Sequence, residues 1–252
     1  KTLVLGKDYT VSGDSGTDAG NYTLTVTGKD DGDYTGSVTK DWTIDKRTVN
    51  VTAVTLNAKT YDGTTAGSSS DVTSVTVQSG PNSKSVTLQN GDYTIESVTY
   101  DDANAGTRTK NADIVIKLTE NGNYAFPGVG ENRWTSTFTQ TGCTITKASA
   151  DNLKPQTGEI NVVNNKEAIY TLNLKDLLPT LSGDCKYGEI TYTPVRGTFD
   201  LGNYNGGGMR ISDDGTTLIL PIAAADDKNV GDTICEGKVT AKTQNYRDIT
   251  LT

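Results

Sequence analysis

A phenol and a carboxylate stand side by side in "AKTYDGTTAG", Ala58–Gly67, where Tyr61, Asp62 and Gly63 could form part of a proton-transfer site. Such a site needs a convergent acid or base partner. The chain has no histidine, the commonest general base and metal ligand. A Ser-His-Asp or Cys-His mechanism is therefore excluded, as is any zinc site that uses imidazole. A structural reading accounts for all three residues. Gly63 takes a positive φ, Asp62 caps the turn through its own side chain, and Tyr61 packs beneath. The expectation is a structural turn motif made by Tyr61, Asp62 and Gly63.

Other groups invite chemistry. Acidic pairs occur at Asp30-Asp31 with Asp33, Asp101-Asp102, Asp213-Asp214 and Asp226-Asp227. Calcium takes several oxygen ligands at loop spacing, and "KDDGDYTG" offers three carboxylates, but it lacks the twelve-residue loop that ends in a glutamate. Solvated turns are the expected role, with calcium the open alternative. A glycosidase needs two carboxylates across a cleft, and no stretch combines clustered acids with an aromatic platform. Tyr124, Phe126 and Trp134 could stack on sugar rings if exposed, or fill the core of their own segment. Cys185 and Cys235 could be bridged if their strands are adjacent, which spacing alone does not establish. The glycine-rich run "NYNGGGMRISDDG" lacks the Lys-Ser/Thr ending of a phosphate loop and reads as a flexible connection.

The elements that would position these residues are strands. Of 252 residues, 33% are hydrophobic and 21% charged, and threonine fills about one position in six. β-branched residues favour strands and the 27 glycines favour tight turns. Period-two segments such as "RTVNVTAVTL", "SVTVQS", "YTIESVTY" and "ADIVIKL" are separated by the turn pairs Asp31-Gly32, Asp62-Gly63, Asn90-Gly91, Asn121-Gly122 and Asp214-Gly215. Helical periodicity is nearly missing: "KDLLPTL" is limited to about one turn by Pro179, and "AAADDK" is short. The net charge of −8 leaves no basic footprint for nucleic acid and none for an anionic membrane. No apolar run is long enough to span a bilayer, and the apolar part of "KTLVLGKDYT" is too short for a secretory signal. Both ends fall inside strand patterns, so the chain reads as an excised fragment.

Internal repeats organise the chain. "LGKDYTVSGDSGTDAGNYT" aligns with "QNGDYTIESVTYDDANAGTRT", and "GDYTGSVTKDWTIDK" is echoed by "GNYAFPG" followed by "FTQTGCTITK". A fainter third copy, Asn229–Thr252, again carries an Asn-Tyr pair. The endings Trp42–Lys46 and Cys143–Lys147 lie 101 residues apart, the size of a small β-domain. Boundaries therefore fall near Lys46 and Lys147: residues 1–46 form the second half of a module, 47–147 a complete module and 148–252 a divergent third. Half a module should leave a sheet edge unpaired. Cys143 replaces Trp42 in the alignment, on the same face as the following isoleucine, and reads as a small buried residue.

With these motifs in view, "KTYDGTT" (Lys59–Thr65) and the trailing "DAGNYTLTVTG" and "GDYTGSVTKDWTI" resemble the YDG and MBG type repeat modules of large secreted bacterial proteins. The resemblance covers about residues 1–147, and the third unit only loosely. The middle unit departs in reading Ala-Gly-Thr-Arg at Ala105–Arg108 and in inserting "FPGVGENRWTST", where an individual binding function would sit. The resemblance implies a cell-surface or secreted protein whose tandem β-modules form a stalk or adhesive arm, with no catalytic residues carried over.

The resulting expectation is an all-β chain of tandem small β-modules, Ig-like sandwiches or β-grasp-like sheets, in an elongated arrangement. Its function would be non-catalytic: an extracellular structural or adhesive repeat segment of a bacterial surface or secreted protein. A carbohydrate-binding module of an extracellular glycan-degrading protein is the alternative. Expected partners are neighbouring modules of the same chain and a host or environmental glycan or protein, with no nucleic acid and no direct membrane insertion. No cofactor is expected beyond the calcium alternative.

Overall fold

The computed structural model describes residues 2–29, 34–163, 166–224 and 228–252. Among the described residues it is nearly all β, and the helical parts are four short 3-10 turns. One of these, Leu174–Leu177, overlaps the start of the "KDLLPTL" segment, and the Asn173 side chain caps it by accepting from the Lys175 amide. The "AAADDK" segment and the acidic groups at Asp30, Asp31, Asp33, Asp226 and Asp227 fall wholly or partly outside the described residues.

The first segment forms strands β1 (Tyr9–Ser12), β2 (Gly20–Gly28) and β3 (Ser37–Ile44), an antiparallel sheet in the order β1-β2-β3. Tyr22 and Trp42 are register partners, and their rings stack with centroids 4.7 Å apart. The sheet has no core of its own. Asp8 is the one buried residue among those described up to Lys46, while Leu3, Val4, Leu5 and Val38 are exposed.

The middle segment contributes β4 (Arg47–Thr48), β5 (Asn50–Leu56), β6 (Lys59–Thr60), β7 (Ala66–Gly67), β8 (Val72–Gln78), β9 (Val86–Thr87), β10 (Tyr93–Tyr100), β11 (Gly106–Leu118), β12 (Tyr124–Ala125) and β13 (Thr135–Thr146). One sheet has the order β6-β13-β11-β10-β7 and a second the order β5-β8-β9. Alternation does what the pattern requires: Val75 and Val77 of β8, and Ala112, Ile114, Ile116 and Leu118 of β11, are all buried. Ile114, with no exposure at all, is among the largest side chains fully withdrawn from water.

The third segment contributes β14 (Ala168–Asn173), β15 (Ile190–Pro194), β16 (Arg210–Ile211), β17 (Thr217–Ile222), β18 (Val239–Thr243) and β19 (Ile249–Leu251). Its two antiparallel sheets, β14-β17-β16 and β15-β18-β19, supply one core that includes Leu174, Tyr192, Leu218, Leu220, Val239, Ile249 and Leu251. The run after Leu201 is hydrogen-bonded rather than loose. The Asn205 side chain accepts from the Gly207 and Gly208 amides, and a Cβ on Gly206 would come within 3.0 Å of the Ile222 backbone.

By packing, the chain gathers into two compact units. One comprises Lys1–Asn57, Gly67–Thr99 and Asn111–Thr141; the other comprises Ala58–Ala66, Tyr100–Lys110 and Gly142–Thr252. The repeat boundaries at Lys46 and Lys147 follow sequence, whereas these units follow contacts. Each unit therefore holds one joint between successive repeats within it.

Candidate functional site

The residues with the richest polar chemistry meet at these two joints. In the unit containing the third repeat, Asn245 is completely buried and every polar atom of its side chain is engaged. Its Oδ1 accepts from the Ala105 amide at 2.8 Å, and its Nδ2 donates to Asn104 Oδ1 and to the Lys186 carbonyl, both at 2.9 Å. The Asn245 carbonyl accepts from the Ala148 amide at 2.9 Å, and Ala148 bridges Tyr246 in parallel. Lys147, the last residue of the Ile-x-Lys ending, donates its ammonium to the Thr243 carbonyl at 2.6 Å. One turn of the third repeat thus grips both the Asn-Ala-Gly loop and the exit of the second.

The same hardware recurs in the other unit. Asn123 Oδ1 accepts from the Ala19 amide at 2.6 Å, and Asn123 Nδ2 donates to Asp18 Oδ1 at 2.9 Å. The Asn123 carbonyl accepts from the Arg47 amide at 2.8 Å, β12 pairs with β4 in parallel through Tyr124 and Arg47, and Lys46 donates to the carbonyls of Glu120 and Gly122. Asp18 therefore corresponds to Asn104, Ala19 to Ala105, Lys46 to Lys147, Arg47 to Ala148, Asn123 to Asn245 and Tyr124 to Tyr246. One hydrogen-bond pattern thus recurs at corresponding residues of the two joints.

The Tyr61-Asp62-Gly63 motif belongs to the second joint. β6 adds in parallel to the end of β13, Lys59 beside Ile145 and Thr60 beside Thr146, and the Tyr61 amide donates to the Thr146 carbonyl at 2.9 Å. This delivers the buried Tyr61 ring edge-on to Tyr246, with centroids 5.6 Å apart, and the Tyr61 hydroxyl accepts from the Lys186 amide at 2.8 Å. Gly63 has φ +85°, and a Cβ there would lie 3.0 Å from the Cys185 nitrogen, so turn geometry and close approach both require glycine. Asp62 Oδ1 accepts from the Thr64 amide and hydroxyl, each at 2.9 Å, and from the buried Lys59 ammonium at 2.6 Å. Burial pushes the Asp62 carboxyl up, but the bonds from Lys59 and Thr64 together outweigh it and hold the carboxyl below its ordinary range. The motif turns the chain, as its residue types indicate, and its tyrosine also plugs into the next repeat. Burial pushes the Tyr246 phenol up.

The remaining sequence candidates do not converge. Phe126 is 3% exposed and so is removed from any sugar-stacking surface. Trp134 is half-buried beneath two cations, Lys46 Nζ at 5.0 Å and Arg133 at 5.8 Å from its ring centre, and Tyr124 is half-buried at the first joint. Cys185 and Cys235 are not bridged: Cys185 Sγ donates to the Asp62 carbonyl and Cys235 Sγ to the Glu236 carbonyl. Cys143 is buried, as its place in the repeat requires. Of the acidic pairs, Asp102 is held low by the Asn104 amide and by the ammonium of Lys110, and Asp214 by the Ser212 hydroxyl and Thr216. Among the described residues no three acidic or cysteine side chains cluster as a metal site would need. Asn123, Asn245 and Lys59 escaped attention as functional residues. The signal that could have found them is the placement of Asn-Tyr and Lys-x-Tyr-Asp-Gly at fixed offsets from the module endings.

Residues 45–132 match the YDG domain. The match takes in Tyr61-Asp62-Gly63 and the Asn123-Tyr124 turn, in keeping with the resemblance of this stretch to a YDG-type module. No curated protein matches the sequence. Among solved structures, the chain is similar to zebrafish RET cadherin-like domains 1 to 4 at 11% identity and a TM-score of 0.20, over 93% of this chain and 58% of that one. That score is too low for a shared fold to be inferred.

Proposed function

We propose that the chain is a non-catalytic segment of tandem modules from an extracellular bacterial protein, at the cell surface or secreted, that spaces or displays an adhesive region. The observation that supports this most directly is the recurrence of one Asn-centred joint at two successive module boundaries. A hinge meant to move would be built from few, solvent-exposed contacts. These joints instead combine parallel strand pairing, an asparagine amide bonded through both its oxygen and its nitrogen, and a lysine bonded to backbone carbonyl oxygen, which fixes one module against the next. Tandem modules joined this way transmit position along the chain, and that suits a spacer or arm. The net charge of −8 keeps such an exposed surface hydrated. The test is protease treatment of intact bacteria that make the parent protein, followed by mass spectrometry. Release of peptides from this chain is the expected result, and peptides obtained only after lysis would overturn the extracellular placement.

A further inference from the structure

The two joints share their polar clasp but differ in burial, in the same direction at four corresponding positions. Ile145 is 1% exposed, Cys143 7%, Asn245 0% and Tyr246 8%. Their counterparts Ile44, Trp42, Asn123 and Tyr124 are all only half-buried. The second joint has one component the first lacks, the Lys59–Gly63 segment. There β6 covers the outer edge of β13 and Tyr61 covers Tyr246. In the first joint β3 is an edge strand of its sheet: Ile44 pairs with Gly20 of β2 on one side, and among the described residues no strand pairs with β3 on the other.

We infer that the end of β3 together with the Asn123-Tyr124 turn is a docking slot for a Lys-Thr-Tyr-Asp-Gly strand of another module of this kind. Joint two supplies the template. The strand adds in parallel beside Ile44 and Asp45, as β6 does beside Ile145 and Thr146. Its tyrosine amide donates to the Asp45 carbonyl, the counterpart of Thr146, and its ring packs edge-on against Tyr124. Its aspartate turns the chain by accepting from its own lysine and threonine, as Asp62 does from Lys59 and Thr64. Its glycine allows close approach, as Gly63 does at Cys185. Pairing an exposed edge also removes a site for indiscriminate strand addition. The inference rests on reading the joints as connections between modules.

The experiment fuses a second copy of residues 57–67 to the start of the full chain through a long flexible Gly-Ser linker, which holds it at about millimolar effective concentration. Amide exchange at Ile44–Lys46 should slow by about tenfold or more, since local opening would then require breaking the added pairing. The Tyr124 ring resonances should shift, and both effects should vanish when the added copy carries Tyr61→Ala. Unchanged exchange, or equal slowing with the Tyr61→Ala copy, overturns the slot. So does protection arising from self-association of the unfused chain that persists in its Tyr61→Ala variant, because that assigns the edge to a different occupant. If Asn245→Ala leaves stability unchanged, it is the reading of the joints that fails; if only the fusion fails, the two observed joints stand.

Discussion

At the residue scale the asparagines are the most exacting positions. Asn245→Ala leaves the Ala105 amide and the Lys186 carbonyl unpaired in a site closed to water, and a cost of about 2–3 kcal/mol in urea denaturation is expected. Asn123→Ala breaks the matching bonds where water can replace them, so a cost of about 1 kcal/mol or less is expected. Equal costs would mean that the burial difference between the joints has no energetic weight. Gly63→Ala forces a side chain into positive φ against the Cys185 backbone, and about 1–3 kcal/mol should be lost in the same assay. Acid titration addresses Asp62. Its carboxyl binds protons more weakly folded than unfolded, so its stabilising effect is complete above the unfolded value near 4 and lost as pH falls through the lower folded value. Melting temperature should therefore fall less steeply below about pH 4 in Asp62→Asn than in the parent chain.

At the scale of elements, the strands were the legible part. Period-two alternation marks β5, β8, β10 and β11 because each buries one face, and of the predicted turn pairs Gly63, Gly91 and Gly215 adopt the positive φ that their dipeptides favour. Ile114→Ala, in the buried face of β11, should cost about 2–5 kcal/mol. The joints were half legible. The Lys46 and Lys147 endings and the Asn-Tyr pairs stood out as repeats, yet nothing local says that Asn245 reaches back to Asn104 and Ala105. Such pairing is decided by tertiary packing across more than a hundred residues, beyond any window of periodicity. Tyr61 shows the same limit. Its turn was readable from Asp-Gly, but its plug into the third repeat depends on Lys186 and Tyr246. For Phe126 the sequence left a sugar-facing and a core role both open, because an aromatic beside an insertion looks the same whether it faces solvent or core; it faces the core.

At the scale of the whole molecule the chain carries 31 acidic against 23 basic residues, spread along three repeats. Polyanions should therefore find no footing: the chain is expected to pass through heparin resin at low salt and to bind an anion exchanger at pH 7. The sheet β1-β2-β3 raises a different matter. None of its described side chains is fully buried, so hydrophobic burial does little to hold its three strands together. Its permanence is borrowed from the clasp through Asp18, Ala19, Lys46 and Arg47. A synthetic peptide of residues 1–46 should accordingly give the circular dichroism of a statistical coil, acquiring order only in covalent continuity with its neighbour.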